Sequence, residues 1–298
     1  MGTLLGKHPT SVFFVLAYTL TWAVWIPRAA GVEVGVVGQL WTWIPAVAAL
    51  LAAMLTGGRA AVTKLLRRLT RWRVRWTWYL VVLAGPAAFA LAVAGVYVLL
   101  GGDWSDARPP AFTTSLPSLA LFLVVLTLTD GVGEELGWRG FALPRMLRPF
   151  SALAASLLLG VLWAGWHLPL LWTEGSALDG TPVWLLFLDL PAMSVLFTWI
   201  FLRTRGSVLL AALLHGSTNL FTVSPSADES GDLTMALIAL AAKWLLVFGL
   251  VAYGGRQLGP HGSRRGTREP VGGLPWFAEE LGHDVERIPA RGAGDHRR

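Results

Sequence analysis

The sequence predicts an all-α fold, a polytopic membrane helix bundle of about eight transmembrane helices with N and C termini cytoplasmic. Three observations predict it. Hydrophobic residues make up 54% of the chain and charged residues only 14%, whereas a soluble domain carries about 25% charged residues. Apolar stretches near the ~20 residues that cross hydrocarbon recur at roughly 11–27, 35–56, 77–100, 117–138, 151–172, 182–202, 206–223 and 233–253. The loops between them alternate in charge, and that alternation sets the orientation.

Each stretch fits that scheme. The first follows a lone Lys7 and no small-residue cleavage site comes after it, so it is expected to be a retained helix rather than a signal peptide. The second leads into "GGRAAVTKLLRRLTRWRVRW" (57–76), which is strongly basic and contains no acid. The positive-inside rule makes this loop cytoplasmic, and its amphipathic pattern suits a segment lying partly along the headgroups. The outer loops are then "GGDWSDARPP" (101–110), "TEGSALDG" (173–180) and "SPSADESGD" (224–232), all acid-bearing, while Arg145, Arg148, Arg203 and Arg205 fall inside. The short loop with Arg28 and Glu33 carries no orientation signal. The chain's 16 tryptophans suit the membrane–water interfaces, which indole rings favour.

Residues 1–253 are therefore read as a transmembrane catalytic bundle and 254–298 as a disordered cytoplasmic tail. That tail is rich in Gly, Pro and charge and holds too little apolar surface to fold alone. Its amphipathic "PWFAEEL" (275–281) does not change that expectation. The chain has no cysteine, which excludes a disulfide framework, a thiolate nucleophile and a Cys-ligated zinc site. The lipid bilayer is the expected partner, and no nucleic acid.

Ionisable groups within membrane helices are rare, costly and usually functional. The fourth stretch ends in "DGVGEELGWRG" (130–140). Glu135 and Arg139 are four apart, acid first, the favourable order for a helical ion pair. Glu134 is turned about 100° away and is left as the free carboxylate. Charges near a helix end can also simply snorkel to water, so this cluster alone does not decide a function. The fifth stretch adds "WAGWHLP", with Trp163 and His167 on one face. The seventh adds "LLHGSTN", with His215 and Asn219 on one face.

A carboxylate, two imidazoles and an amide suit hydrolysis of an amide bond. Glu134 with His167 would activate water, and His215 with Asn219 would hold the oxyanion. No G-x-S-x-G elbow is present, which argues against an acyl-enzyme. Zinc is the competing use, because Glu134, His167 and His215 form a known catalytic ligand set. The H-E-x-x-H spacing is absent and Asn is a poor zinc ligand, so catalysis without a cofactor is the first expectation and zinc the alternative. At 1.5 Å per residue, His167 lies about 24 Å along its helix from Ser151, whereas His215 lies about 15 Å from Arg205. The motifs meet at one depth only if the fifth helix starts within the membrane or tilts strongly, which a break or short interfacial turn at "PRMLRPF" (144–150) would permit.

Together "EELGWR" (134–139), "WAGWH" (163–167) and "HGSTN" (215–219) resemble the CPBP family of CAAX-protease and bacteriocin-processing membrane peptidases, also called the abortive-infection (ABI) family. The family pattern is E-E-x-x-x-R, an aromatic before a His, then H-x-x-x-N/D. Trp163 stands where Phe is commoner, which preserves an aromatic stacking role. The resemblance implies an intramembrane endopeptidase related to CAAX prenyl protease type 2. It implies catalytic roles for Glu134, His167, His215 and Asn219 and supporting roles for Glu135 and Arg139. The family has been described both as zinc-dependent and as glutamate-dependent, so it leaves the metal open. The expected partner is a membrane-associated protein or peptide substrate cleaved near the cytoplasmic face. The Ala/Gly/Arg/Trp-rich composition points to a bacterial chain, multi-pass in the inner (plasma) membrane. A proton-coupled transporter using Glu134, His167 and Asp189, or a non-proteolytic immunity or scaffold protein, are the alternatives.

Overall fold

A computed structural model describes residues 8–35, 41–222 and 233–259. The long helices are α1 (Pro9–Ala29), α2 (Ile44–Leu66), α3 (Trp76–Leu99), α4 (Leu116–Met146), α5 (Ala152–His167), α6 (Val183–Arg203), α7 (Val208–Leu220) and α8 (Thr234–Gly254). No strand occurs among the described residues. The chain is a multi-pass membrane protein, and its described residues form a helical bundle.

Among the described residues, seven helices are long and apolar enough to cross a membrane, and α7 is a shorter apolar helix of 13 residues. At 1.5 Å per residue it spans about 20 Å, short of the ~30 Å hydrocarbon layer. The expected stretch 206–223 is thus helical but does not cross alone. The acidic loop 224–232 and the tail from 260, including "PWFAEEL", lie outside the described residues. Residues 254–259, assigned to the tail, pack on the bundle: Leu258 is buried and Gln257 Oε1 accepts from the backbone N–H of Ala152.

Helix starts follow the sequence closely. Ser115, Ser151 and Ser207 cap α4, α5 and α7, each hydroxyl accepting the backbone N–H three residues on, which satisfies a donor the helix cannot use. The bend in α2 falls at Gly58, whose φ is 62°, a conformation that glycine adopts without steric cost. The basic loop begins there. It ends in a turn tied to the α6–α7 turn: Ser207 Oγ donates to Arg71 O (2.7 Å), Arg71 Nη1 to Arg205 O (2.7 Å) and Val208 N to Arg68 O (3.1 Å).

Helix α4 changes character along its length. Its first part, Leu116–Leu126, has no buried residue, so Leu121, Phe122 and Val124 face outward as lipid-facing side chains do. From Gly133 to Pro144 every residue is buried. Two π-helical segments, Thr127–Gly131 and Leu136–Ala142, flank Val132–Glu135, a feature often found at functional sites. The expected break or turn within 144–150 is present but starts late: α4 runs through Pro144 to Met146 and the chain turns over 147–150.

Small residues let the buried half of α4 approach its neighbours, the usual basis of helix association where no water drives it. A Cβ at Gly133 would collide with the carbonyl of Thr42, and one at Gly131 with that of Ala212 on α7. Backbone cannot move aside cheaply. Gly133→Ala is therefore expected to cost about 2–3 kcal/mol, read as earlier unfolding when SDS is titrated into detergent micelles.

Two further seams complete the frame. Helix α1 is strapped to α5: Tyr18 OH donates to Leu162 O, Trp22 Nε1 to Trp166 O (3.0 Å), and Trp166 Nε1 to Thr21 Oγ1 (2.9 Å). Helix α8 is joined to α6 by Lys243 Nζ and Asp189 Oδ1 at 2.6 Å, with Trp244 Nε1 donating to Leu188 O at 3.1 Å. Asp189, which the transporter alternative would use, is thus half of a partly buried ion pair. Its partner Lys243 sits within an apolar run and gave no motif.

Candidate active site

The buried half of α4 presents its two glutamates to different partners. Glu134 Oε2 accepts Trp163 Nε1 from α5 at 2.7 Å and Trp138 Nε1 from its own helix at 3.2 Å. Its other oxygen, Oε1, lies 4.0 Å from His215 Nε2 on α7. Glu135 Oε1 accepts both Arg139 Nη1 (2.8 Å) and His215 Nδ1 (2.9 Å). His215 therefore stands between the two carboxylates. A carboxylate can only accept, so the bond to Glu135 places the ring proton on Nδ1 and turns Nε2 toward Glu134.

Arg139 completes the clamp. Its guanidinium carbon lies 4.5 Å from the Trp163 ring centroid and 4.6 Å from that of Phe197 on α6, positions in which ring faces attract a cation. Both Arg139 and Glu135 are fully buried. The expected Glu135–Arg139 pair is present, and the structure adds His215 to it. Glu134 is the carboxylate outside that pair, as the helical geometry predicts.

The remaining residues occupy places that the sequence did not specify. Trp163 does not merely stack: it donates to Glu134 while its ring covers Arg139 and lies 5.8 Å from the His215 ring. His167 sits one turn beyond Trp163, with Nδ1 donating to the Trp163 carbonyl at 2.9 Å and its ring edge-on to Trp166 at 4.7 Å. That bond leaves Nε2 as the free ring nitrogen. The depth mismatch is resolved because Trp163, rather than His167, lies level with Glu134. Asn219 Nδ2 donates to Asp130 Oδ2 at 2.9 Å, one helical turn beyond the Glu134–His215 pair on both helices. Asp130 and Trp138 are the polar partners that the motifs missed. Asp130 stands four residues before Glu134, a spacing that could have pointed to it. Trp138 stands four residues after Glu134, so the same spacing could have pointed to it.

The donor set does not fit a zinc ion as it stands. Among the described residues, no three His, Asp or Glu side chains are grouped closely enough to hold one metal. Glu134 Oε1, His215 Nε2 and His167 Nε2 keep their lone pairs, so it is their separation, not their existing bonds, that stands against the metal.

All of these polar groups fall within one stretch of the chain, and that stretch has known relatives. Residues 116–221 match the Rce1-like family of type II CAAX prenyl endopeptidases. The resemblance drawn from the three motifs is borne out over this segment. The CAAX prenyl protease 2 of Methanococcus maripaludis is 36% identical over 106 residues, which cover 34% of this chain and 38% of that protein. The chain thus aligns with well under half of that relative's length. The Rce1-like segment comprises α4 to α7, and holds Asp130, Glu134, Glu135, Trp138, Arg139, Trp163, His167, Phe197, His215 and Asn219. Helices α1 to α3 and α8 lie outside it and pack against it.

Proposed function

We propose that the protein is an intramembrane endopeptidase that hydrolyses peptide bonds of membrane-associated proteins or peptides near the cytoplasmic face. The observation that carries this reading is the 4.0 Å separation of Glu134 Oε1 and His215 Nε2, each group held from its far side. That gap is too long for a hydrogen bond and suits one water in contact with both. In this reading Glu134 takes the proton of that water as general base. His215, its Nδ1 proton fixed by Glu135, orients the water through Nε2. Glu134 then passes the water's proton to His215 Nε2, which delivers it to the departing amine as the C–N bond breaks, leaving Glu134 ionised and His215 neutral. The second N–H of Asn219, whose first is held by Asp130, is an oxyanion donor, and His167 Nε2 is a proton carrier. The sequence alone paired Glu134 with His167, whereas the geometry favours His215 as its immediate partner. No step needs a metal.

The basic turns at the ends of α2, α4 and α6 are assigned to the cytoplasm of a bacterial plasma membrane by the positive-inside rule, with both termini on that side. Proton relay through Asp189, the transporter reading, is disfavoured because Asp189 is engaged by Lys243.

The test compares protein N-termini in membranes of cells expressing the wild type or Glu134→Gln at equal levels. New termini confined to the wild type, and persisting with a chelator, are the expected result. Identical termini would return the protein to a scaffold role, and loss of cleavage with the chelator would restore zinc. On a cleaved reporter, Trp138→Phe removes one donor from Glu134 Oε2. It is expected to lower kcat about 2- to 10-fold with KM unchanged, the effect of one buried hydrogen bond.

A further inference from the structure

We propose that the α2–α3 and α6–α7 turns form one recognition surface for the headgroups of anionic phospholipids. The two turns lie far apart in sequence and are stitched together in space: the carbonyls of Arg68 and Arg71 accept from Val208 N and Ser207 Oγ, and Arg71 Nη1 reaches the Arg205 carbonyl. This brings Arg67, Arg73 and Arg75, all exposed, beside Arg203 and Arg205 in a single patch. No acid among the described residues lies at this end. Glu33, Asp103, Asp106, Glu174 and Asp179 all occupy turns at the opposite ends of the helices.

A topology signal needs only positive charge, in any conformation. This patch has more. Residues 57–76 hold six arginines against one lysine, and the guanidinium fork matches a phosphate with two parallel hydrogen bonds where an ammonium offers a point charge. The turn is held internally, with Tyr79 OH donating to Trp72 O at 2.7 Å and Val74 N to the same carbonyl at 2.9 Å. Trp72 and Trp76 project from it 58% and 73% exposed, and Arg73 lies 5.2 Å from the Trp72 ring centroid. Exposed indoles favour the headgroup level. The phosphates that meet this patch are therefore those of the bilayer rather than of a soluble ligand. The surface lies at the N-terminus of α7, the helix that carries His215.

The experiment uses the full chain in a neutral detergent and measures lipid retained per protein by native mass spectrometry. Phosphatidylglycerol and phosphatidylcholine of equal chain length are compared, with soluble glycerol phosphate as competitor. The wild type is expected to retain phosphatidylglycerol selectively. Arg67→Gln/Arg73→Gln/Arg75→Gln is expected to weaken that retention about 100-fold, the effect of three charges at an anionic surface, while the corresponding Lys triple variant keeps part of it. Equal retention of the two lipids, an unaffected Gln variant, or full displacement by glycerol phosphate at the lipid's own concentration would each overturn the proposal. Should the Gln variant fail to fold, a salt titration of the wild type decides. Phosphatidylglycerol retention must fall with ionic strength while phosphatidylcholine retention does not.

Discussion

Arg139→Met is expected to lower the stability of the bundle by about 3–5 kcal/mol, the cost of leaving one member of a buried pair without its partner. Glu135 is fully enclosed, and its Oε2 has no hydrogen-bond partner among the described residues. Removing the guanidinium leaves that carboxylate with His215 Nδ1 alone. It also empties the slot between the Trp163 and Phe197 rings, where the cation is held at 4.5 and 4.6 Å. The measurement is the SDS fraction at which the protein unfolds in mixed micelles. A second variant separates charge from packing: Glu135→Met with Arg139→Met removes both charges and is expected to recover most of the loss. Equal stability of the single and double variants would mean that the pair's charge is not what the fold depends on.

Glu135→Gln is expected to lower kcat about 10²–10⁴-fold, and to lower the unfolding midpoint as well, because the buried Arg139 loses its counter-charge. The carboxylate oxygen that holds Arg139 also fixes the Nδ1 proton of His215. An amide can turn its NH2 toward the imidazole, which drives the ring proton to Nε2 and takes the lone pair away from the Glu134 side. Losing the orienting carboxylate of a catalytic histidine costs about 10⁴ in a serine protease with the geometry intact. Initial rates on a reporter substrate, set beside the unfolding midpoint, distinguish this from misfolding. A Glu135→Gln enzyme with unchanged kcat would remove His215 from the proposed chemistry.

Much of the architecture was legible because membrane spans announce themselves by length and polarity. Glu135–Arg139 was legible from helical spacing, whereas the serine caps that start α4, α5 and α7 were seen only in the structure. What the sequence hid falls into three physical kinds. Asp130 with Asn219, and Asp189 with Lys243, are contacts between distant helices, which no local spacing encodes. The π-helical turns around Glu134 have no residue signature, so α4 read as an ordinary helix ending near 138 when it continues to Met146. Trp163 read only as a stacking ring and Trp138 as apolar bulk, because an indole shows its single N–H only when an acceptor stands opposite. For the same reason His167 looked like the nearest partner of Glu134, although one helical turn separates it from Trp163, which holds that place.

The close approach of α4 to the backbones of α2 and α7 has a mechanical consequence. Glycine contacts at residues 131 and 133 leave the helix no slack to slide or rotate, and Glu134 is only 2% exposed. On the proteolytic reading, a scissile bond reaches such a carboxylate only when other walls of the chamber part. A substrate must arrive as unwound chain, since a helix keeps its peptide carbonyls engaged in its own hydrogen bonds. Turnover then answers to the bilayer. A stiff or thick membrane would starve the enzyme and a thin, fluid one would feed it, with the chemical groups unchanged throughout.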